Sequence, residues 1–435
     1  MSVVQWLAGQ PGAASILVGL PAVEARSAGE GRGLGLFAPR TIPAFTQILR
    51  DPIACLMKPT DDLPELYERF SELPELQQTQ YTSLSYRDDL EKDAVLTQKL
   101  LQRGYTSNDA KKRIQVGHIM HNNAFTVDVG GPHGAGHRAL FLSVARINHS
   151  CTPNAHVSFY PPSPSTSVGR MVVHTLRELH AGEEVLISYF SILMSKPDRQ
   201  TKARKWGFDC ACSACDGKQL HHVEREEVLK DIRDFKSNYS MVMSGNKHSP
   251  GSLKSLIIKG SALVEHCLGD LSLRPALPDL FDDLGMLEAK MLLSTRRENE
   301  REAVVAFLEK SVVWEARITG TESVATNKRL EKLHQFATRR GRPHVGEQYK
   351  FEYQVAWTAR YIPIGSLTTS LSIKFGLLKA SYAKRTLHHP SKRTSSQSAK
   401  RFQTAQVCLA PKSRHEIYGL AKHEIALLSF ERLTK

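Results

Sequence analysis

The sequence predicts an α+β fold: a small β-rich unit carrying a helical insertion, followed by a longer α-helical region. Three observations lead there. Residues 22–57 and 117–190 are written in short apolar runs broken by Gly and Pro, such as "FTVDV", "AHVSFY" and "RMVVHTL". Between them, residues 58–116 place apolar side chains at three- and four-residue steps, the period of a helix face. From about residue 221 the helical pattern takes over.

Taken in order, "GEGRGLGLFAPR" is a glycine-rich turn entering an apolar strand, and "TIPAFTQILRD" continues the strand pattern after a break at Pro43. "DDLPELYERFSELPEL" and "DDLEKDAVLTQKLLQR" carry acids near their starts, as helix N-termini do. The next strands are expected at "FTVDV", "ALFLSVA", "AHVSFY", "RMVVHTL" and "EEVLISYF", with "YPPSPSTSVG" as a surface loop. Then come four amphipathic segments, "VEREEVLKDIRDF", "SLKSLIIKGSALVEHCL", "LFDDLGMLEAKMLL" and "REAVVAFLEKSVVWEARI". They suggest antiparallel helical pairs, in the manner of tetratricopeptide repeats but without a clean repeat. After Arg340 the pattern decays, and "HHPSKRTSSQSAKR" has the polar, basic composition of a poorly ordered tail.

Charge follows this division. The first 340 residues hold 42 Lys and Arg against 39 Asp and Glu, whereas Gly341–Lys435 hold 16 against five Glu and no Asp. The basicity therefore belongs to the tail, and direct nucleic-acid binding is expected only through residues 341–435. No apolar run reaches the roughly 18 residues of a membrane span. The short apolar stretch Ala13–Leu20 has no basic residue before it, so a secretory leader is not expected. The seven cysteines are too few and too uneven for a disulfide framework.

Three motifs carry chemistry. "CACSAC" sets Cys210, Cys212 and Cys215 at a spacing that can face one metal ion. Structural zinc takes four ligands, so a partner is needed. Cys151 is one candidate, and His221 and His222 are the others. "RINHSCTPNAH" puts His149 two residues from Cys151, and that cysteine reads as a nucleophile, a metal ligand or a buried bystander. "GEEVLISYF" is a turn at Gly182, two acids and a strand ending on Tyr189 and Phe190, which alone is an ordinary core strand. The alternating Gly31, Gly33 and Gly35 allow close backbone approach to a ligand, but their spacing is not that of a dinucleotide fingerprint.

In order, a glycine turn, a helical insert, "HNNAF", "RINHSCTPN", "GEEVLISY" and "WGFDCACSAC" resemble the SET-domain protein lysine methyltransferases. The likeness is to the SET and MYND domain branch and its fungal relatives. It covers about residues 22–216 and extends weakly to about 340. It implies a SET domain at 22–209 with its helical insert at 58–116, after an N-terminal extension at 1–21. A post-SET zinc segment follows at 210–220, then a helical C-terminal domain at 221–340 and the tail at 341–435. In the family the "NHSC" segment threads under the "GEE…Y" segment as a pseudoknot, beside S-adenosylmethionine.

Carried over, the resemblance implies that Arg32, Leu34, Asn123, Asn148, His149 and Phe208 contact the cofactor. Tyr189 would be the catalytic residue, and Tyr189, Trp206 and Phe208 would line the substrate lysine channel. Cys151, Cys210, Cys212 and Cys215 would hold one structural Zn2+, which makes Cys151 a ligand and not a nucleophile. The expected partner is a protein substrate with a target lysine, in a histone or another protein. A monomer, no membrane, and a nuclear or cytoplasmic location are expected. Two departures stand out. The insert has no cysteine and so no MYND zinc finger, and Trp206 stands where this branch often has Tyr. The competing reading is a SET module without catalysis that binds protein partners through its helical C-terminal region.

Overall fold

The computed structural model describes residues 23–338, apart from 30, 132–133, 164–165, 217–220, 246–247 and 296–300. The N-terminal extension and the basic tail expected from the sequence lie outside the described residues.

The β-rich unit consists of four small sheets. β1 (Glu24–Ser27) and β2 (Leu34–Phe37) form an antiparallel hairpin around the glycine turn. β3 (Gln47–Pro52), β9 (Arg170–Thr175) and β8 (Ala155–Tyr160) form an antiparallel sheet in that order. β4 (Cys55–Met57), β6 (His137–Leu140) and β5 (Phe125–Val127) form another. The fourth pairs β7 (Asn148–His149) with β10 (Leu186–Ile187) in parallel. Inward faces of these strands share one core, including Leu36, Ile48, Phe141, Ile147, Val173 and Ile187.

The insert is helical as expected: α1 (Leu63–Ser71), α2 (Glu75–Thr82), α3 (Leu90–Gln102) and α4 (Ser107–Asn123). A capping box starts α1: the Glu65 N–H donates to Asp62 Oδ1 at 3.3 Å and the Asp62 N–H donates to Glu65 Oε2 at 2.8 Å. Gly117 lets α4 close on α1, since a Cβ there would sit 2.4 Å from Leu63 Cδ2. α4 runs past the expected boundary at 116, so "HNN" ends a helix and Asn123 is its last residue.

Two strand expectations are too long. "ALFLSVA" leaves the sheet after Leu140 and enters a 3-10 turn at Val144–Arg146. The buried Asp51 explains this, because the Ser143 and Val144 N–H groups donate to its carboxylate at 2.7 and 2.8 Å. Those amides are thereby satisfied away from the sheet. "EEVLISYF" contributes only Leu186–Ile187 to a named strand; its other bonds go partly to the β2 backbone, with the Val185 N–H donating to Leu36 O at 2.7 Å, and partly to the side chains of Asn154 and His149.

After α5 (Lys196–Lys205) the helical region comprises α6 (His221–Ser244), α7 (Pro250–Gly269), α8 (Leu277–Ser294), α9 (Glu302–Thr319) and α10 (Val324–Thr338). Among the described residues successive helices bury two apolar seams, one centred on Leu229, Ile232, Phe235, Leu253, Leu280 and Leu284 and the other on Leu308, Val312 and Leu333. No described helix is long and apolar enough to cross a membrane. This region closes on the β-rich unit through polar contacts as well as packing. The Tyr160 hydroxyl donates to Thr319 O at 2.5 Å, and Arg274 donates to Leu176 O at 2.8 Å. Phe45 has a positive φ of 59°, uncommon for a bulky residue, and its ring meets Trp314 edge-on at 5.9 Å. The contact with the helical region holds this strained residue in place.

Candidate active site

The site forms where β7 and β10 pair, with Asn148 opposite Leu186 and His149 opposite Ile187. Two short parallel strands make few ladder bonds, so side chains supply the rest. Asn154, only 2% exposed, does most of this. Its Oδ1 accepts from the Leu186 N–H at 2.7 Å, and its Nδ2 donates to Glu184 O at 2.8 Å and to Glu183 Oε1 at 3.1 Å. The two motifs singled out in the sequence are thus locked side by side.

Tyr189 follows β10. Its backbone N–H donates to His149 Nδ1 at 3.1 Å, and its hydroxyl donates to Ile147 O at 2.7 Å. Burial raises the phenol pKa above its ordinary value, so the group stays protonated at neutral pH. Around it stand Trp206 at 5.4 Å and Phe208 at 6.3 Å between ring centroids. α5 places both rings. Its chain reverses through Gly207, with φ +84°, and the Phe208 N–H donates to Ala203 O at 3.2 Å.

The glycine turn meets Asn148 through a residue the motif reading passed over. Glu184 accepts from Asn148 Nδ2 at 2.8 Å on one oxygen and from Arg32 Nη2 at 2.7 Å on the other. Asn148 Nδ2 also lies 3.3 Å from Leu34 O. Gly35 leaves room for this contact, because a Cβ would stand 2.6 Å from Glu184 Oε1 and 3.1 Å from Asn148 Nδ2 and would displace the carboxylate. Arg32, Leu34 and Asn148 are therefore brought together. Asn123 reaches the same edge indirectly: its Nδ2 donates to Ser85 O at 2.8 Å, and Ser85 Oγ lies 3.6 Å from where a Cβ on Gly33 would stand. The second acid of "GEEV" was the available signal for Glu184, but a lone motif does not say which acid turns inward.

The four cysteines converge as well. The sulfurs of Cys151, Cys210, Cys212 and Cys215 all lie within 4.8 Å of one another. Cys151 Sγ is 3.9 Å from Cys210 Sγ and 3.6 Å from Cys215 Sγ. A tetrahedron of about 2.3 Å Zn–S bonds sets its sulfurs about 3.8 Å apart, so the set fits one zinc ion. The cysteines are unbridged, and burial of Cys151 and Cys215 leaves little room for solvent chemistry. The side chains of His221 and His222 lie outside the described residues. Helical elements brace the cluster. Arg199 of α5, 1% exposed, donates to Met194 O at 2.6 Å and Ala214 O at 3.4 Å and pairs with Glu226 of α6. Arg225 of α6 donates to Cys151 O at 3.2 Å. His149 joins the cluster to the segment after β10, its ring 5.1 Å from that of Tyr189 and its Nε2 3.3 Å from Cys151 Sγ.

Residues 33–190 match the family model described as SET domain. This chain carries a SET domain. A stretch of 118 residues is 34% identical to the histone-lysine N-methyltransferase set5 of Schizosaccharomyces pombe, covering 26% of this chain and 31% of that protein. A stretch of 97 residues is 35% identical to the N-lysine methyltransferase SMYD2-B of Xenopus laevis, covering 22% of this chain and 20% of that one. Mouse histone-lysine N-methyltransferase SMYD3 is 30% identical over 111 residues, 23% of this chain and 24% of its own. The chain thus matches under a third of the length of these relatives. Among solved structures, the SET domain of LSMT bound to lysine and AdoHcy aligns over 83% of this chain and 95% of its own, at 15% identity and a TM-score of 0.30.

Proposed function

We propose that this chain is an S-adenosylmethionine-dependent methyltransferase acting on the ε-amine of lysine in a protein substrate. The observation that carries this reading is the pairing of β7 with β10, beside which the rings of Tyr189, Trp206 and Phe208 cluster next to the Asn148–Glu184–Arg32 contacts. Asn148, His149, Arg32 and Leu34 are the cofactor contacts in this reading, with Phe208 closing the pocket and Asn123 bordering the turn. When bound, S-adenosylmethionine supplies a sulfonium methyl that a neutral amine takes up, with the S–C bonding pair left on sulfur as a thioether.

The chain's own residues prepare the amine. A lysine with its ordinary pKa of about 10.4 costs roughly 4–5 kcal/mol to neutralise at pH 7. An aromatic channel disfavours the ammonium form and lowers that cost. The Tyr189 hydroxyl spends its proton on Ile147 O, so its oxygen lone pairs remain to accept from the incoming amine. That bond orients the nucleophile, and catalysis rests on positioning without a covalent intermediate. Zinc on Cys151, Cys210, Cys212 and Cys215 pins the segment that carries Phe208 and is structural.

The test is calorimetric titration of S-adenosylmethionine into the purified protein, with Asn148→Ala as control and metal analysis of the same sample. Binding lost in the control, with about one zinc per chain, is the expected result. A folded, zinc-loaded protein that binds no cofactor would overturn the reading in favour of a partner-binding module. The methylated product is expected on protein lysines, in a histone or another protein, and a substrate screen decides between them.

A further inference from the structure

The ring of His149 has a defined neighbour at each nitrogen. The Tyr189 N–H donates to Nδ1 at 3.1 Å, so Nδ1 carries the lone pair. A neutral imidazole has one N–H, which then lies on Nε2, and Nε2 is 3.3 Å from Cys151 Sγ. The ring cannot swing away easily, because Phe190 and Phe208 flank it at 4.4 and 5.6 Å between centroids. The Cys151 backbone is held in turn by Arg225, which donates to its carbonyl O at 3.2 Å.

We propose that His149 is a positioning residue: its Nε2–H donates to the Cys151 thiolate of the zinc cluster while its Nδ1 holds the backbone of Tyr189. The inference rests on the reading of the four cysteines as a zinc site. An N–H donated to a zinc-bound thiolate draws charge from the sulfur and fixes its direction. Outer donors of this kind typically change metal affinity by about 10- to 100-fold when removed. The same ring makes the metal and the catalytic strand one mechanical unit, so a loosened metal also loosens Tyr189. It also directs any cofactor contact of His149 to its backbone or ring face.

The experiment uses the full chain loaded with zinc. Nitrogen-15 spectra of the wild type are expected to show His149 with its proton on Nε2. Zinc transfer to a competing chelator is expected to be about 10- to 100-fold easier from His149→Phe, which keeps the aromatic packing and loses the N–H. Asn148→Ala, which has no contact with the sulfurs, is expected to retain zinc like the wild type. Equal zinc retention in His149→Phe and wild type, or a proton on Nδ1, overturns the inference. Should His149→Phe fail to fold, the wild-type spectrum decides alone. A wild-type protein that takes up no zinc refutes the metal reading itself and this inference with it, whereas the cofactor titration stands independently of both.

Discussion

In the β-rich unit, single polar side chains close the structure, while in the helical region whole apolar faces do. Asn154 alone ties β8 to the segment before β10 with three hydrogen bonds. Asp51 turns the chain after β6, and Glu184 bridges Arg32 and Asn148. In the helical region the equivalent work is spread over Leu229, Ile232, Phe235, Leu280, Leu284 and their neighbours. Short strands cannot bury enough area to define their own register, so buried polar groups with fixed partners define it. Helices of 18 or more residues, such as α7, α8 and α9, bury long apolar stripes, and polar side chains such as Ser311 and Arg329 add single ties between them. The difference teaches where function can be lost without unfolding: at the polar joints.

The largest effect should come from one hydroxyl. Tyr189→Phe removes the lone pairs that orient the amine and leaves both cores intact. Turnover is expected to fall by about 100-fold, or the number of methyls added to change, at unchanged zinc content and cofactor affinity. Identical rate and product in steady-state kinetics would remove Tyr189 from the mechanism.

Stability comes next and divides the two regions directly. Leu284→Ala empties part of a fully buried seam and should cost about 2–5 kcal/mol in denaturant unfolding, with cofactor affinity of the folded protein unchanged. Asn154→Ala deletes bonds at a buried polar joint and should cost roughly 3 kcal/mol, with cofactor affinity lowered as well. Should both variants keep wild-type cofactor affinity, the polar-joint picture of the site is wrong.

The helical region also buries polar groups, and Asp283 is one of them. Burial raises Asp283 to about 6 despite the Lys236 ammonium at 2.5 Å. A carboxyl whose folded value is raised from 3.8 binds more protons folded than unfolded between about pH 4 and 6. Its contribution is full below the lower value and is lost as pH rises through the upper one. The helical region should therefore lose on the order of 2–3 kcal/mol from this group between pH 4 and 7. In Asp283→Asn that slope should flatten, and an unaltered slope would assign it to other groups.

The smallest effect tests the glycine turn. Glu184→Gln keeps an acceptor for Asn148 but removes the charge facing Arg32, whose side chain is 49% exposed. Cofactor affinity should weaken only a few-fold, in keeping with the modest worth of a partly exposed ion pair. Calorimetry showing no change would mean that Arg32 is positioned by the turn itself.

Much of this architecture was legible in the chain. Apolar spacing marked the helical insert and helices α6 to α9, because each of these announces its buried face locally, whereas α10 was not singled out. "RINHSCTPN", "GEEVLISY" and "CACSAC" marked the residues that meet at the site. The excess strand length expected at "ALFLSVA" and "EEVLISYF" shows the limit. Apolar runs in a fully buried unit look alike whether they pair with a strand or turn back on a side chain.

By itself the sequence marked most of the residues that the fold brings together at the candidate site, Glu184 excepted, and showed that three clustered cysteines would need a fourth partner to hold a zinc ion. Tertiary structure decided how they are joined: β7 beside β10 in parallel, Cys151 among Cys210, Cys212 and Cys215, Glu184 between Arg32 and Asn148, and His149 between the cysteine cluster and Tyr189. The reason is physical. Parallel pairing of distant segments and the aim of a buried carboxylate or imidazole depend on partners far along the chain, and no local pattern encodes them.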